Sequence, residues 1–539
     1  MSRRAEFIAA AVVLALGVVL LGLSAPDHGE FWWSDAPRHA LNGVFVKDFV
    51  AAMPWHDPVG YATRYYLQYP ALTILFYPPL FYAISAPFYA IFGVSHATAL
   101  LVVLLHDFAF ALGLYALARR YCGAVVGVAV GLAGLAAPGI ALWARQIMLE
   151  LPALAFVVWG LYFLRRAGDE NERPWVLYLG AFLLLCAVYT KFTAIILAPV
   201  AALMLFAAEG HLLWRSKHNW IVAGLFAVGL VPVLILTWKF GQANVQSVTG
   251  IADAQVARNS LAAYGWYAMQ LPDQLWWPLL VAAMLWPVSM ALGLRNKLVA
   301  RADLVLLFGW FALGYIFFSL IDLKEARHST LILPPLLIAA GIAIDRLAPR
   351  VAGVSALAVV ALTAAFTWAA APVPEVRGYA EAADWIARTV PKDSIVLFSG
   401  KRDGSFVFNL RAEPGRGDIA TIRSDKLLLD VAVRRELGVK EKDLDEAQIG
   451  AMLDKSGVSY VVAQSDFWTD LTEMARLQNV LRSDHFEEVK RIAILANVPT
   501  EDTELRIYKN RHPVDNNAAL SINLPIIGRS IEGQVGRSR

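Results

Sequence analysis

The chain has 539 residues, of which 58% are hydrophobic and 17% are charged, and its mean hydropathy is +0.52. Soluble domains carry about 45–50% apolar and roughly 25% charged residues, so this composition excludes an ordinary soluble protein. The net charge of +3 is spread over loops between apolar runs and indicates no nucleic-acid partner. The two cysteines, Cys122 and Cys186, lie in or beside those runs, which excludes a disulfide framework.

The apolar residues occur in runs of about twenty, the length that a helix needs to cross a hydrocarbon core of about 30 Å. The first run, Phe7 to Leu23, has a signal-peptide alternative with cleavage after Ser24–Ala25. Its length and the spans that follow favour an uncleaved helix instead. Eleven transmembrane helices are predicted, near residues 7–24, 97–118, 123–143, 147–165, 175–190, 192–208, 219–239, 275–294, 302–321, 329–346 and 351–371.

The loop charges predict the topology, because Lys and Arg mark cytoplasmic loops. Arg3 and Arg4 place the N-terminus inside, and pairs such as Arg119–Arg120 mark later inner loops. The alternation holds if residues 69–93 do not cross the membrane. That stretch is rich in proline and aromatic residues, and it is predicted to be a re-entrant or surface-lying element on the outer side.

These assignments divide the chain into a transmembrane domain at 1–371, whose first outer loop is 25–96, and an extracytoplasmic tail. Residues 372–510 combine helical and strand patterns and predict a small α/β domain. Residues 511–539 show no periodicity and are predicted to be an irregular tail. The predicted fold class is an all-α polytopic membrane domain followed by a small α/β domain.

Charged residues cluster at the membrane surface just after the first span. Asp35 lies there beside Arg38 and His39. A carboxylate at such a position is suited to act as a general base for an acceptor or to bind a metal ion. The alternative is a helix N-cap, in which Ser34 or Asp35 caps the helix that follows.

A second acid, Glu150, begins an outward-facing helix end within the stretch Arg145–Pro152. Carboxylates at a membrane edge are costly and often functional, although the helix dipole alone also favours an acid in a first turn. Lys191 is a lone lysine at another outer helix edge. Its side chain either binds phosphate or snorkels to the membrane interface.

A short outer turn between two predicted spans contains Lys324, Arg327 and His328. A cationic turn on this face departs from the positive-inside bias. A phosphate ligand accounts for it, because arginine binds phosphate oxygens in a bidentate manner. The alternative is an ion-pair cluster with Asp322 and Glu325.

No motif of a soluble enzyme competes with these candidates. The sequence has no Walker loop, no glycine-rich dinucleotide turn after a strand and no Cys or His cluster at zinc spacing. No inner loop is large enough for a nucleotide-sugar site, so a sugar donor would arrive through the membrane. A transporter or flippase is the alternative function, but such folds usually show internal repeats and charges at mid-membrane.

With these features the sequence resembles the GT-C glycosyltransferases, specifically family 39, which contains protein O-mannosyltransferases and bacterial aminoarabinose transferases. The resemblance covers about residues 1–400. The segments that carry it are, in chain order, Asp35, Tyr77–Tyr82, Leu117–Tyr121, Arg145–Pro152, Thr190–Phe192 and Lys324–Pro335.

The resemblance implies an outer-face cavity of a bacterial inner-membrane enzyme that receives a polyprenyl-phosphate sugar from the lipid. It makes Asp35 the group that assists acceptor deprotonation and Glu150 a second acid. Arg327 with His328 would hold the donor phosphate, and direct attack would invert the anomeric carbon. Further candidates are Lys324 and Lys191 for the phosphate, and Arg38, His39, Tyr77 and Arg145 for the cavity.

Two positions depart from the family pattern. Ala36 stands where a second acid often follows the first, and Tyr77 stands where some lipid A-modifying members have a lysine. These departures weaken the case for a metal and for lipid A as acceptor. A divalent ion is left open, with Asp35 and Glu150 as its ligands if one binds, and so are protein, lipid and glycan acceptors.

Overall fold

A computed structural model describes residues 2–169, 172–241, 245, 248–249, 256–293, 300–431, 435, 438–512, 519–524 and 529–534. The described residues up to Ala370 form helices and the loops between them. Their α-helices are α1 (Arg3–Gly22), α2 (Asp35–Ala52), α3 (Pro58–Gln68), α4 (Leu80–Phe92), α5 (His96–Ala118), α6 (Ala124–Ala136), α7 (Pro138–Ala144), α8 (Glu150–Ala167), α9 (Trp175–Thr190), α10 (Leu197–Glu209), α11 (Lys217–Phe240), α12 (Leu261–Leu275), α13 (Trp277–Ala291), α14 (Arg301–Ser319), α15 (Leu333–Leu347) and α16 (Ala352–Ala370). The segments Phe192–Ile196, Gly210–Arg215 and Ala326–Ile332 are 3₁₀ helices.

Seven helical segments in the described part of the chain are long and apolar enough to cross a membrane. An eighth counts if α6 and α7 are one broken span, bent by 66° at the step before Pro138. The predicted spans at 147–165, 175–190 and 275–294 coincide with α8, α9 and α13. These three helices are not among the seven, because α9 and α13 are shorter and α8 carries more charged residues. Every predicted span therefore contains a helix.

The segment 69–93 contains the 13-residue helix α4. At 1.5 Å per residue this helix is about 20 Å long, which is less than the hydrocarbon core. It packs on α2 of the first outer loop, where the Tyr89 hydroxyl donates to the Ala40 carbonyl at 3.2 Å. These contacts agree with an element that stays on the side of that loop.

The loops predicted to be cytoplasmic meet at one end of the helices. Arg119 after α5 pairs with Glu6 in the first turn of α1 at 2.6 Å, and Arg165 near the end of α8 pairs with Asp303 in the first turn of α14 at 2.5 Å. Glu150 begins α8 at its other end. The candidate acids therefore lie at the end of the bundle opposite to this arginine cluster.

The chain after α16 forms an α/β domain. Its helices are α17 (Tyr379–Thr389), α18 (Asp403–Ala412), α19 (Ser424–Leu428), α20 (Glu446–Lys455) and α21 (Thr472–Arg482). Its strands are β1 (Val376–Arg377), β2 (Ile395–Ser399), β3 (Ala420–Arg423), β4 (Leu429–Val431), β5 (Val439–Glu441), β6 (Val458–Ala463), β7 (Phe486–Ala493), β8 (Leu495–Ala496), β9 (Glu504–Asn510), β10 (Ala519–Leu524) and β11 (Arg529–Gln534). The main sheet has the order β3-β2-β6-β9-β7, with β3, β2 and β6 parallel and β9 and β7 antiparallel.

The prediction of an irregular tail differs from the structure at its described residues. Strands β10 and β11 form an antiparallel hairpin there. Leu520, Ile522 and Leu524 alternate with polar residues, which is the period-two pattern of a strand. This short pattern was the sequence signal for the hairpin.

The α/β domain packs directly on the first outer loop. Arg38 of α2 donates to both carboxylate oxygens of Asp403 at the start of α18, at 2.7 and 2.9 Å, and Arg411 of α18 donates to Asp48 of α2 at 2.7 Å. Gly404 lies against α2, because a Cβ atom at this position would meet the Arg38 side chain at 3.5 Å. The domain and the first outer loop therefore lie on the same side of the membrane.

Candidate active site

Asp35 is the first residue of α2, and Ser34 before it makes no side-chain capping bond. The Asp35 carboxylate instead accepts a hydrogen bond from Arg327 Nη1 at 2.9 Å, across 292 residues of sequence. The 3₁₀ helix Ala326–Ile332 presents this arginine to the start of α2. The sequence also allowed Ser34 or Asp35 to be the N-cap of the helix that follows. That helix is present, but neither residue caps it through its side chain.

The charge around Asp35 keeps its carboxyl group ionised. Burial alone would raise the pKa of Asp35, but the positive charge of Arg327, together with that of Arg38, outweighs burial and holds the pKa below its usual range. Asp35 is therefore a carboxylate at neutral pH. As long as it is paired with Arg327, it is a weak base.

Glu150 and Lys191 form a second ion pair, with 2.5 Å between Lys191 Nζ and Glu150 Oε1. Glu150 is in the first turn of α8, where the helix dipole favours an acidic residue. Its side chain is almost fully buried. Its other oxygen, Oε2, is buried without a hydrogen-bond partner among the described residues. Lys191 follows α9 and is directed at this acid rather than at the membrane interface. A buried carboxylate oxygen without a partner requires an explanation, and a role in binding or catalysis is one of the few that account for it.

A small cavity lies between the Glu150–Lys191 pair and Arg327, the partner of Asp35. Its lining consists of Glu150, Ala153, Leu154, Lys191, Thr193, Ala194, Arg327, His328 and Leu331. Its volume is about 10 Å³, which is room for about one water molecule. A sugar phosphate is larger, so it can enter only if the ion-paired side chains move apart.

Arg327 also contacts Glu325, which is part of the ion-pair cluster that the sequence offered as an alternative. His328 Nε2 lies 4.0 Å from the same carboxylate. The alternative is therefore present in part, but Arg327 additionally reaches Asp35 and the cavity. The ion-pair role and a role at the cavity are combined in one residue.

His39 and Tyr77 lie on the Asp35 side of this cluster, with ring centroids 4.8 Å apart. His39 Nδ1 is 2.9 Å from the Tyr82 hydroxyl, which fixes the orientation of the imidazole. Burial lowers the pKa of His39 to about 4, against the opposing effect of Asp35, so the ring is neutral at pH 7. Tyr82 was not among the predicted site residues, although it is the last residue of the Tyr77–Tyr82 motif. Thr193, which lines the cavity two residues after Lys191, was not predicted either.

Lys324, which is predicted to bind the donor phosphate, does not line the cavity. Its Nζ donates to the carbonyls of Phe318, Ser319 and Ile321, at 3.2, 2.7 and 2.6 Å. These carbonyls are at the C-terminal end of α14, where a cation satisfies unpaired acceptors and the helix dipole. The three N–H donors of the Lys324 ammonium group are therefore all used by these carbonyls.

Arg38 and Arg145 also have partners away from the cavity. Arg38 pairs with Asp403 of the α/β domain, as described above. Arg145 donates to the Ala141 carbonyl at 2.9 Å and to Ser24 Oγ at 3.2 Å. Neither arginine lines the cavity, and neither do the other two cavity candidates, His39 and Tyr77.

The site does not contain a group of three metal ligands in the described residues. Among those residues, neither Asp35 nor Glu150 belongs to a group of three His, Cys, Asp or Glu side chains with ligand atoms within 4.8 Å of one another.

Comparisons with known proteins point to one fold. Residues 77–236 match the family model of dolichyl-phosphate-mannose-protein mannosyltransferase. The structure of ArnT from Cupriavidus metallidurans bound to undecaprenyl phosphate superposes with a TM-score of 0.60 at 17% identity, over 92% of this chain and 98% of that one. No curated protein sequence matches significantly.

Two structures of an archaeal enzyme are similar as well. The Archaeoglobus fulgidus oligosaccharyltransferase in the apo form gives a TM-score of 0.54 at 12% identity, over 93% of this chain and 76% of that one. The same enzyme, AglB, in complex with an inhibitory peptide and a dolichol-phosphate gives 0.52 at 11% identity, with 93% and 76% covered.

The chain has the GT-C fold. The resemblance to GT-C glycosyltransferases of family 39 is confirmed, with the family model covering less than a third of the chain. The predicted architecture, a polytopic helical domain with a small C-terminal α/β domain, is confirmed as well. With seven or more apolar spans in the described residues, this GT-C protein is an integral multi-pass membrane protein.

Proposed function

We propose that the chain is a membrane glycosyltransferase that transfers a sugar from a polyprenyl-phosphate donor to an acceptor on the extracytoplasmic face. The observation that supports it most is one cavity lined by Glu150, Lys191 and Arg327, with Asp35 bonded to Arg327 beside it. The ArnT structure contains undecaprenyl phosphate and one AglB structure contains dolichol-phosphate, which favours this class of donor.

In the proposed reaction an acceptor hydroxyl or amine loses its proton to Asp35 and attacks the anomeric carbon of the donor. The bond between that carbon and the phosphate oxygen breaks, and its electron pair stays on the phosphate. Arg327 and Lys191 stabilise the negative charge that develops there, since fixed cations in a dry site act strongly on developing charge. Direct attack of this kind inverts the anomeric carbon.

The Asp35–Arg327 ion pair connects donor binding to base activity. In the closed cavity Arg327 is paired with Asp35, which keeps the carboxylate weakly basic. A donor phosphate attracts Arg327 away from Asp35, and the pKa of Asp35 then rises because its main counter-charge is shared. The base becomes effective only when the donor is bound.

The proposed orientation places the cavity and the α/β domain outside and the N-terminus inside, in the inner membrane of a bacterium. The arginine cluster at the opposite end of the bundle supports this orientation through the positive-inside rule. The convergence of the charged side chains at one end favours transfer over the transporter alternative, which requires polar residues along a path through the bilayer.

The test is a transfer assay with the purified full-length protein in liposomes that contain a bacterial lipid extract. Radiolabelled polyprenyl-phosphate sugars of several kinds are added, and the label is measured in the glycolipid, glycan and protein fractions. We expect label to move from at least one donor to an acceptor fraction, with release of polyprenyl phosphate. Label that crosses the bilayer while still attached to its carrier would instead identify a flippase.

A further inference from the structure

A second cluster of polar side chains, Asp454, His485 and His512, lies in the α/β domain and has no part in the proposed transfer. Strand pairing brings the two histidines together. Phe486 of β7 is opposite Asn510 of β9 at the end of their ladder, so His485 and His512 both lie just beyond it. Their rings stack with centroids 3.9 Å apart.

Asp454, in the last turn of α20, completes the cluster. Its Oδ1 lies 2.9 Å from His485 Nε2 and accepts a hydrogen bond from Asn510 Nδ2 at 2.8 Å. One ligand atom from each of Asp454, His485 and His512 lies within 4.8 Å of the other two. Among the described residues, Asp454, His485 and His512 form the one group of three side chains that could hold a metal ion.

The chemistry of these side chains fits a transition-metal ion. Two imidazoles and one carboxylate are ligands that Zn²⁺ commonly takes, at about 2.0–2.2 Å, with solvent in the fourth position. On a tetrahedral ion of that size, ligand atoms are about 3.3 Å apart. Asp454 Oδ1 and His485 Nε2, which are 2.9 Å apart, therefore need to separate by only a few tenths of an ångström. The exposed His512 ring stacks on His485 and has to turn for one of its nitrogens to reach the ion.

A purely structural role explains part of the cluster. Hydrogen bonds from His485 and Asn510 to Asp454 join α20 to the end of the sheet without a metal. The His512 side chain has no place in that network, since it is the His512 backbone N–H that donates to Asn510 Oδ1. His512 is thus the residue that separates the two roles.

We propose that Asp454, His485 and His512 bind one divalent transition-metal ion of the Zn²⁺ type at the surface of the α/β domain. The ion joins the end of α20 to the end of the β7–β9 pair and stabilises that corner of the domain. The site is distinct from the cavity at Asp35 and Glu150, and it does not depend on the proposed transfer activity.

The test uses the full-length protein in detergent, freed of metal with a chelator and titrated with ZnCl₂ in a calorimeter. The His512→Ala variant removes one ligand but leaves the Asp454 hydrogen bonds in place, so it is expected to fold. His56→Ala removes an exposed histidine of the first outer loop and is the matched control. We expect wild type and the control to bind one more Zn²⁺ per chain than His512→Ala, and Zn²⁺ to raise their Tm.

A spectroscopic measurement makes the result specific to the ligand set. Co²⁺ bound tetrahedrally absorbs strongly in the visible region, so CoCl₂ titration of wild type should produce this band and titration of Asp454→Asn or His512→Ala should not. Absence of Zn²⁺ binding by the wild type, or equal stoichiometry and affinity in wild type and His512→Ala, overturns the proposal.

Discussion

Two ion pairs at the start of helix α2, at Asp35 and at Arg38, differ in how completely they are bonded. Arg38 binds Asp403 through two hydrogen bonds, and Arg423 supports the same carboxylate at 2.9 Å. One helical turn earlier, Asp35 has a single hydrogen bond from Arg327, and this pair lies beside a cavity. A fully bonded network fixes geometry, whereas a network with spare bonding capacity can exchange partners with a ligand.

We propose that Arg38 docks the α/β domain and that Asp35, one helical turn earlier, takes part in the chemistry. The docking pair is predicted to affect stability and the cavity pair to affect turnover. The following variants test that division.

The largest expected effect is on turnover in Asp35→Asn. Loss of a general base typically lowers the rate by about 10²–10⁴-fold, and we expect a fall of that size in kcat. The asparagine keeps the shape of the side chain, and Glu325 remains as a counter-charge for Arg327, so insertion and Tm should change little. Asp27→Asn in the same loop is the control. Undiminished transfer by purified Asp35→Asn would refute the role of Asp35 as base.

Arg327→Ala should raise the apparent KM for the lipid donor more than that for the acceptor. The reason is that Arg327 is the cation shared between Asp35 and the cavity. We expect about a hundred-fold loss of kcat/KM for the donor, which corresponds to about 2.7 kcal/mol. The comparison variant is Lys324→Ala, whose cation lies outside the cavity and should leave the donor KM unchanged. Equal effects of the two substitutions would contradict the assignment.

Glu150→Gln should reduce stability as well as activity, because it leaves the Lys191 ammonium without its counter-charge in a mostly buried position. Breaking a buried pair in this way costs about 3 kcal/mol. Thermal unfolding of the purified protein measures this loss. The double variant Glu150→Gln with Lys191→Met should regain part of it, and no recovery would mean that the two side chains do not interact.

His39 predicts a dependence of stability on pH. Its pKa in the folded protein is about 4, whereas an unfolded histidine titrates near about 6.5. Between these two values unfolding takes up a proton, so stability falls as the pH is lowered from about 6.5 toward 4, by up to about 1.4 kcal/mol per pH unit. His39→Gln should have a shallower slope in denaturation experiments, and an identical slope would show that other groups are responsible.

The smallest effect on turnover is expected for Arg38→Ala and Asp403→Asn. Each should loosen the α/β domain by about 1–3 kcal/mol, which increased cleavage by a protease at the domain boundary detects. Transfer should fall less than in Asp35→Asn. Arg64→Ala, which removes an exposed ion pair with Asp57, is the control with almost no effect. A greater loss of turnover in Arg38→Ala than in Asp35→Asn would reverse the proposed division of α2.

Several features of the site could be predicted from local sequence. Asp35, Glu150, Lys191 and Arg327 were recognised because charged residues at a membrane edge are unusual, and the hydropathy runs placed all four at the same end of the bundle. Their exact pairing was not predictable, since Asp35 and Arg327 are 292 residues apart. Lys324 shows the same limit, because its partners are backbone carbonyls that only the folded turn brings near it.

The amino-acid sequence by itself determined the membrane class, the positions of the helices and the strands at the centre of the α/β domain. Hydrocarbon core thickness and side-chain periodicity act on short stretches of chain, so these features are local. Tertiary structure decided which acid pairs with which base, that Arg38 belongs to domain docking, and that His485 and His512 meet at a sheet edge. Such contacts join distant segments, and packing of the whole chain brings them together.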